Sequence, residues 1–408
     1  MRWNASVSPA SFPAHSAPPP LATAGIRRAL IVVVALLAAL TAAGLAVEWP
    51  GAVHARYNAQ LGSAPQLSDA TVVTAAGAAS CRQHSCESVR VRLDDGRVVP
   101  LQNANNVPGV TLQPGDHVVV AHDNNDAGGY YFSDFQRGRP LMLLAIVFAV
   151  VVVAIARWRG FAAIAGLGVT WIVLVKFLLP GLLDGENPVL VAVIGASCIM
   201  LVVLYLAHGV SIRTTTALLG TVTSLALTAG LAAVFTALTH VSGASSDEAT
   251  YLQTIVGRVD LRGVVLAGVV IGSLGVLNDV TVTQASAVWE IAAASPARTV
   301  RRLYVSGMRV GRDHIASTVY TLVLAYAGAS LPLLLLFNAS GQPVGRVLTG
   351  DAVTEEILRT LIGAIGLVAA VPITTALAAA LAARASHGEP EPYPTSAAPK
   401  SAVQSGAT

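Results

Sequence analysis

The chain has 408 residues, 54% of them hydrophobic and 12% charged, with a net charge of +3 and a mean hydropathy of +0.65. A soluble chain of this length carries about twice that charged share, so the composition excludes a set of soluble domains and leaves a polytopic membrane protein. No basic face for nucleic acid is present, and the only lysines, Lys176 and Lys400, precede no Ser or Thr in a glycine-rich loop, which excludes a Walker A site.

In chain order, residues 1–26 are rich in Pro, Ala and Ser and cannot build a core. They are expected to be disordered, as is the tail 384–408. Residues 27–49 form a transmembrane anchor, with an apolar run over Ala29–Val47 that is longer than a signal-peptide core.

Residues 50–138 are the one large polar segment and predict a small all-β domain between helices 1 and 2. Apolar and polar residues alternate over Ala70–Thr74, Ser88–Leu93, Arg97–Leu101, His117–His122 and Tyr130–Phe135. Turn sequences separate them, among them Asp94-Asp95-Gly96 and Gln113-Pro114-Gly115-Asp116. Five short strands point to a barrel of OB or SH3-like type, serving as a ligand-binding module or as a structural plug. Cys81 and Cys86 fit a disulfide on the outer side of a bacterial membrane. A metal pair around His84 lacks further ligands at sensible spacing. His117 and His122 fall on opposite strand faces and are poor co-ligands.

Residues 139–383 hold the other seven of eight expected spans: Leu141–Ala156, Phe161–Leu179, Val189–Leu206, Thr214–Leu238, Gly263–Leu277, Ile315–Phe337 and Leu358–Ala382. Arg27, Arg28, Arg157, Arg159, Arg213 and the cluster Arg298, Arg301, Arg302, Arg309 and Arg312 fall on one side of this arrangement. The positive-inside rule then places both termini and the loop Ser295–Arg312 in the cytoplasm, and the β domain outside. Pro332 and Pro372 invite kinks, and Lys176 is placed to snorkel.

The most informative stretch is Asp260–Val280. Gly263, Gly268, Gly272 and Gly275 have the spacing that lets helix backbones approach closely in lipid. Asp279 closes the span, and a membrane carboxylate is a functional candidate. Asp279, Thr283, Ser286 and Glu290 recur at i, i+4, i+7 and i+11 and form one helical stripe. That stripe either lines an ion or substrate path, with Arg298 and Arg301 able to fold back on it, or is the solvated face of an amphipathic helix. Thr214, Thr221, Ser224 and Thr228 form a hydroxyl stripe on the fifth span, either lining substrate or bonding to their own helix carbonyls.

The run Asp-Leu-Arg-Gly-x5-Gly-x3-Gly-x2-Gly-x3-Asp-Val from Asp260, continued by Thr281 to Ile291, resembles the signature of the YibE/F family of bacterial membrane proteins. Ser211–Thr221 and Phe132–Arg137 leading into Pro140-Leu141 are similar to further family segments. The resemblance spans roughly 65–380 and extends to the long form found in high-GC Gram-positive bacteria, whose pre-span β segment carries a cysteine pair. It implies a polytopic protein of the bacterial plasma membrane and no specific activity.

A transporter or permease-like protein for an ion or small solute is the leading functional expectation. A non-transporting sensor or assembly protein, binding through the β domain, is the second. An intramembrane enzyme is third, since neither H-E-x-x-H nor G-x-S-x-G occurs. No cofactor or metal is expected. The lipid bilayer is the expected partner, with a second copy or another membrane subunit beside it, and no nucleic acid.

Overall fold

A computed structural model describes residues 24–50, 66–74, 89–102, 110–122, 129–257, 259–295 and 299–385. The expected termini beyond these bounds, and the Cys81–Cys86 pair, lie outside the described residues. In chain order the elements are α1 (Ala24–Val47), β1 (Gln66–Thr74), β2 (Arg90–Leu93), β3 (Val98–Gln102), β4 (His117–His122) and β5 (Tyr130–Phe135). Next come α2 (Gly138–Val173), a π-helical turn Leu174–Leu178, α3 (Leu179–Asp184), α4 (Pro188–His208), α5 (Ile212–Leu238) and α6 (Asp247–Val256). The remainder are α7 (Leu261–Ala294), α8 (Val300–Ala329), α9 (Leu331–Ala339), α10 (Val344–Leu348) and α11 (Asp351–Arg384). Contacts divide the chain into two compact units. One comprises 50–185 and 247–259, the other 1–49, 186–246 and 260–408.

The first unit holds a closed five-stranded barrel of order β1-β2-β3-β5-β4, with β1 pairing β4 to close it. Every pairing is antiparallel except β3 with β5, where Leu101 faces Tyr130 in a parallel register. This order and the single parallel pair are those of an OB-type barrel and not an SH3-like one. Alternation drives the closure: Ala70, Val72, Val91, Leu93, Val118 and Val120 point inward and are buried. The β2–β3 turn needs Gly96, whose φ of 86° favours glycine. Asp95 braces that turn by accepting the Arg97 amide at 2.9 Å. His117 and His122 do take opposite faces: His117 meets Thr71 Oγ1 at 3.3 Å, and His122 stacks on Tyr130 at 4.7 Å.

Also in this unit, Leu141–Ala156 and Phe161–Leu179 are two helices, as expected, divided by a break at Arg157 with φ 55° and ψ −127°. Gly160 is required beside the break, because a Cβ there would come 2.4 Å from the Val152 carbonyl oxygen.

The second unit is helical, and its starts are written in side chains. Asn187 accepts the amides of Val189 and Leu190, with Pro188 in the first turn. Ser211, Asp260 and Thr299 cap α5, α7 and α8 in the same way. At the centre, α7 packs against α4, α5, α8 and α11. Among the described residues six segments are long and apolar enough to cross a membrane, the broken stretch Gly138–Asp184 counted as one of them, and α8 with α9, bent by 61°, makes a seventh if taken as one. The expected loop Ser295–Arg312 is helical from Val300 onward, so α8 starts well before Ile315. Pro332 sits in the first turn of α9 beside that bend, whereas α11 runs on through Pro372.

Candidate functional site: the two faces of α7

α7 has 34 residues, a length of about 51 Å, and its two faces differ sharply. The inward face carries Thr281 and Gln284, both buried. Thr281 and Thr221 of α5 share a hydroxyl contact of 2.6 Å. The Gln284 amide donates to the Gly307 carbonyl at 2.9 Å and to Thr375 Oγ1 at 2.7 Å, tying α7 to α8 and α11. Gly307 and Gly311 admit this: a Cβ at Gly311 would lie 2.4 Å from Val371 Cγ1, and one at Gly307 2.7 Å from Val288 Cγ2. A second close crossing joins α5 to α11, with Gly220 against Thr374 and Gly366 against Thr228.

The outward face carries the stripe. Asp279, Thr283 and Glu290 are exposed and Ser286 is half-buried, so the four residues do share a face. The Asp279 carboxylate makes no hydrogen bond or ion pair among the described residues. Thr283 does not reach it, because its hydroxyl donates to the Asp279 and Val280 backbone oxygens. Glu290 pairs with Arg213 of α5 at 2.6 Å. Arg301 is exposed at the start of α8 and forms no ion pair among the described residues, and Arg298 lies outside them.

The four glycines behave differently from one another. Gly263 is pressed on Pro188, where a Cβ would come to 2.3 Å, and Gly272 lies under the Tyr326 hydroxyl, at 2.8 Å. Gly268 has only the Arg359 guanidinium at 4.0 Å, and Gly275 has nothing within 4 Å. The hydroxyl stripe of α5 is turned inward. Thr221, Ser224 and Thr228 are buried and donate to carbonyls of their own helix, so they form a packing face, and Thr214 meets the Ser211 cap.

Several polar groups were not singled out from sequence. Glu355 is buried in α11 and accepts the Ser245 hydroxyl at 2.8 Å, while Asp351 accepts that of Ser242. Glu356 and Arg359 pair one turn further on, near Tyr326. These carboxylates fall inside α11, which begins at Asp351 and not near Leu358. The spacing of Gly307 and Gly311 was a legible signal for the α8 crossing. His314 of α8 was another residue passed over, and its Nε2 is buried without a partner among the described residues.

Outside the helical core three carboxyls are shifted, among them Asp134, which the Arg137 guanidinium and then the Phe135 amide hold below its ordinary value. Partial burial, then hydrogen bonding to and repulsion from Glu186, raise the Glu48 carboxyl above its ordinary value. The Arg97 backbone amide, then its guanidinium, hold Asp95 below its ordinary value. Among the described residues no group of three or more His, Cys, Asp or Glu is arranged to hold a metal ion.

A bundle of long apolar helices joined to a small barrel is the architecture of a membrane protein with an appended domain, and the apolar helices support that class. A family model described as YibE/F-like protein matches residues 144–384, more than half of the chain, and the chain belongs to that family. No match is found among curated proteins or among solved structures.

Proposed function

We propose that this is a multi-pass protein of the bacterial plasma membrane, with both termini cytoplasmic and the barrel outside, that moves a cation or a small cationic solute. The position of Asp279 carries the reading. It lies 18 residues beyond Leu261, about 27 Å along a helix of about 51 Å. A hydrocarbon slab of about 30 Å, laid anywhere within that length along the helix, contains it. A charged carboxylate there costs about 3 kcal/mol near the slab centre, unless water, a cation or a partner compensates it. No side chain among the described residues does so. A hydrated vestibule lined by Asp279, Thr283, Ser286 and Glu290 meets that need, and a cation in it balances the charge.

The test is flux in proteoliposomes carrying the purified full chain, with sodium, potassium, magnesium and calcium as probes. Wild type should move at least one of them above empty vesicles, and Asp279→Asn should remove that movement. Absence of flux for every probe, or equal flux in Asp279→Asn, refutes the proposal. The OB-type barrel favours a second reading, a sensor or assembly protein that binds through the barrel. That reading gains if the wild type moves none of the probes.

A further inference from the structure

We propose that His314 binds a proton that competes with the cation at Asp279, an inference that rests on the cation role given to Asp279 above. Gly307, Gly311 and His314 recur at i, i+4 and i+7 and share one face of α8. The two glycines press that face onto α7 and α11, and His314 continues it by one turn. There its Nε2 is buried and has no hydrogen-bond partner among the described residues.

α7 and α8 run antiparallel. Gly307 meets Val288, Gly311 meets Gln284, and Tyr326 meets Gly272. From the Gly311–Gln284 contact, His314 lies about 4.5 Å further along α8, and Asp279 lies about 7.5 Å along α7 in the same direction. Imidazole and carboxylate therefore stand on adjacent helices at heights that differ by about 3 Å. Few other ionisable groups are near that height. Apart from Asp279, α7 carries only Arg262 and Glu290, close to its ends. α11 carries none between Arg359 and Arg384, and α9 carries none at all. On α8 itself Arg309, Arg312 and Asp313 are exposed and turned away from the packed face.

The chemistry follows from charge balance. With neutral imidazole and ionised carboxylate the pair has net charge −1, and a monovalent cation neutralises it. A proton added at Nε2 brings the two groups together to net zero, and the cation is no longer held. One proton and one monovalent cation thus exclude each other, and histidine is the side chain suited to this near neutral pH.

The experiment measures sodium or potassium entry and internal pH together, in proteoliposomes loaded with a pH-sensitive dye. Cation entry into wild-type vesicles should drive protons out, and on the acid side apparent cation affinity should fall about tenfold per pH unit, as competition by one proton requires. His314→Gln and His314→Asn, each shown to fold by tryptophan fluorescence, should lose both the proton movement and the pH dependence of cation affinity. Cation flux in wild type without proton movement overturns the inference and leaves the cation role standing. Retention of coupling in both His314 variants overturns it too. No cation flux in wild type removes the cation role and this inference together.

Discussion

Replacing Gln284 by methionine keeps the length of the side chain and removes both hydrogen bonds that tie α7 to α8 and α11. Side-chain hydrogen bonds between helices in a membrane contribute about 0.6 kcal/mol each on average and up to about 1.7. The Thr375 hydroxyl retains its bond to the Val371 carbonyl at 2.6 Å, so it is not left unpaired. The expected loss is therefore about 1–2 kcal/mol, in the lower half of the range two such bonds allow. Denaturing-detergent titration of the purified protein, followed by tryptophan fluorescence, reads it out. Trp289 is buried on the same helix, in the cluster with Leu303 and Ala378, and reports on this packing. Thr283→Ala is the control: its hydroxyl is exposed and bonded only within α7, so its effect should stay within about 0.5 kcal/mol. Equal stability of Gln284→Met and Thr283→Ala would refute the idea that the amide joins the three helices.

Gly366→Ala should destabilise the protein by about 1–3 kcal/mol, because the added methyl would sit 2.1 Å from Thr228 Oγ1; Gly275→Ala, with open space, should not, and the same titration distinguishes them. Val91→Ala in the barrel should cost about 1–3 kcal/mol, as for losing two buried methyl groups, read as faster hydrogen exchange across β1 and β2 in the full chain. The raised Glu48 carboxyl favours its protonated form, so its contribution is fully present below the ordinary value of 4.5 and is lost as pH rises through the raised one. Thermal unfolding across that window should lose this component in Glu48→Gln. Cys81 and Cys86 should appear as one linked peptide in non-reducing mass mapping, and ready alkylation of both would reject the pair.

The barrel strands were legible because alternation with period two needs only local sequence, and the β4 and β5 bounds coincide with those expected. Their order was not legible, since the β1–β4 and β3–β5 pairings join residues far apart in the chain. The start of α7 was written in the Asp260 cap and the stripe in its helical spacing. α8 was obscured because its arginines lower the hydropathy of a continuous helix, while Leu303, Gly307 and Gly311 keep a buried face through them. The break at Arg157 was legible in Arg157-Trp158-Arg159-Gly160, which interrupts the apolar run, whereas the positive φ of a residue with a side chain was not. Gln284 reads as one polar residue among several in Thr281–Ser286, because its partners lie on α8 and α11. The assignment of α5 hydroxyls to a packing face rests likewise on glycines of α11 that no spacing within α5 reveals.

The account depends most on water reaching the outward face of α7 at Asp279. Cysteine at 279, in full-length protein without its native cysteines and reconstituted in liposomes, can be exposed to a charged, water-soluble thiol reagent. Cysteine at 324 or 365, where the native Leu324 and Ile365 are exposed apolar residues of the same helical unit, sets the lipid-facing rate. The hydrated vestibule predicts that position 279 reacts at least about tenfold faster than either, as expected where a polar path and not hydrocarbon surrounds it. A rate at 279 no higher than at 324 and 365 would contradict it.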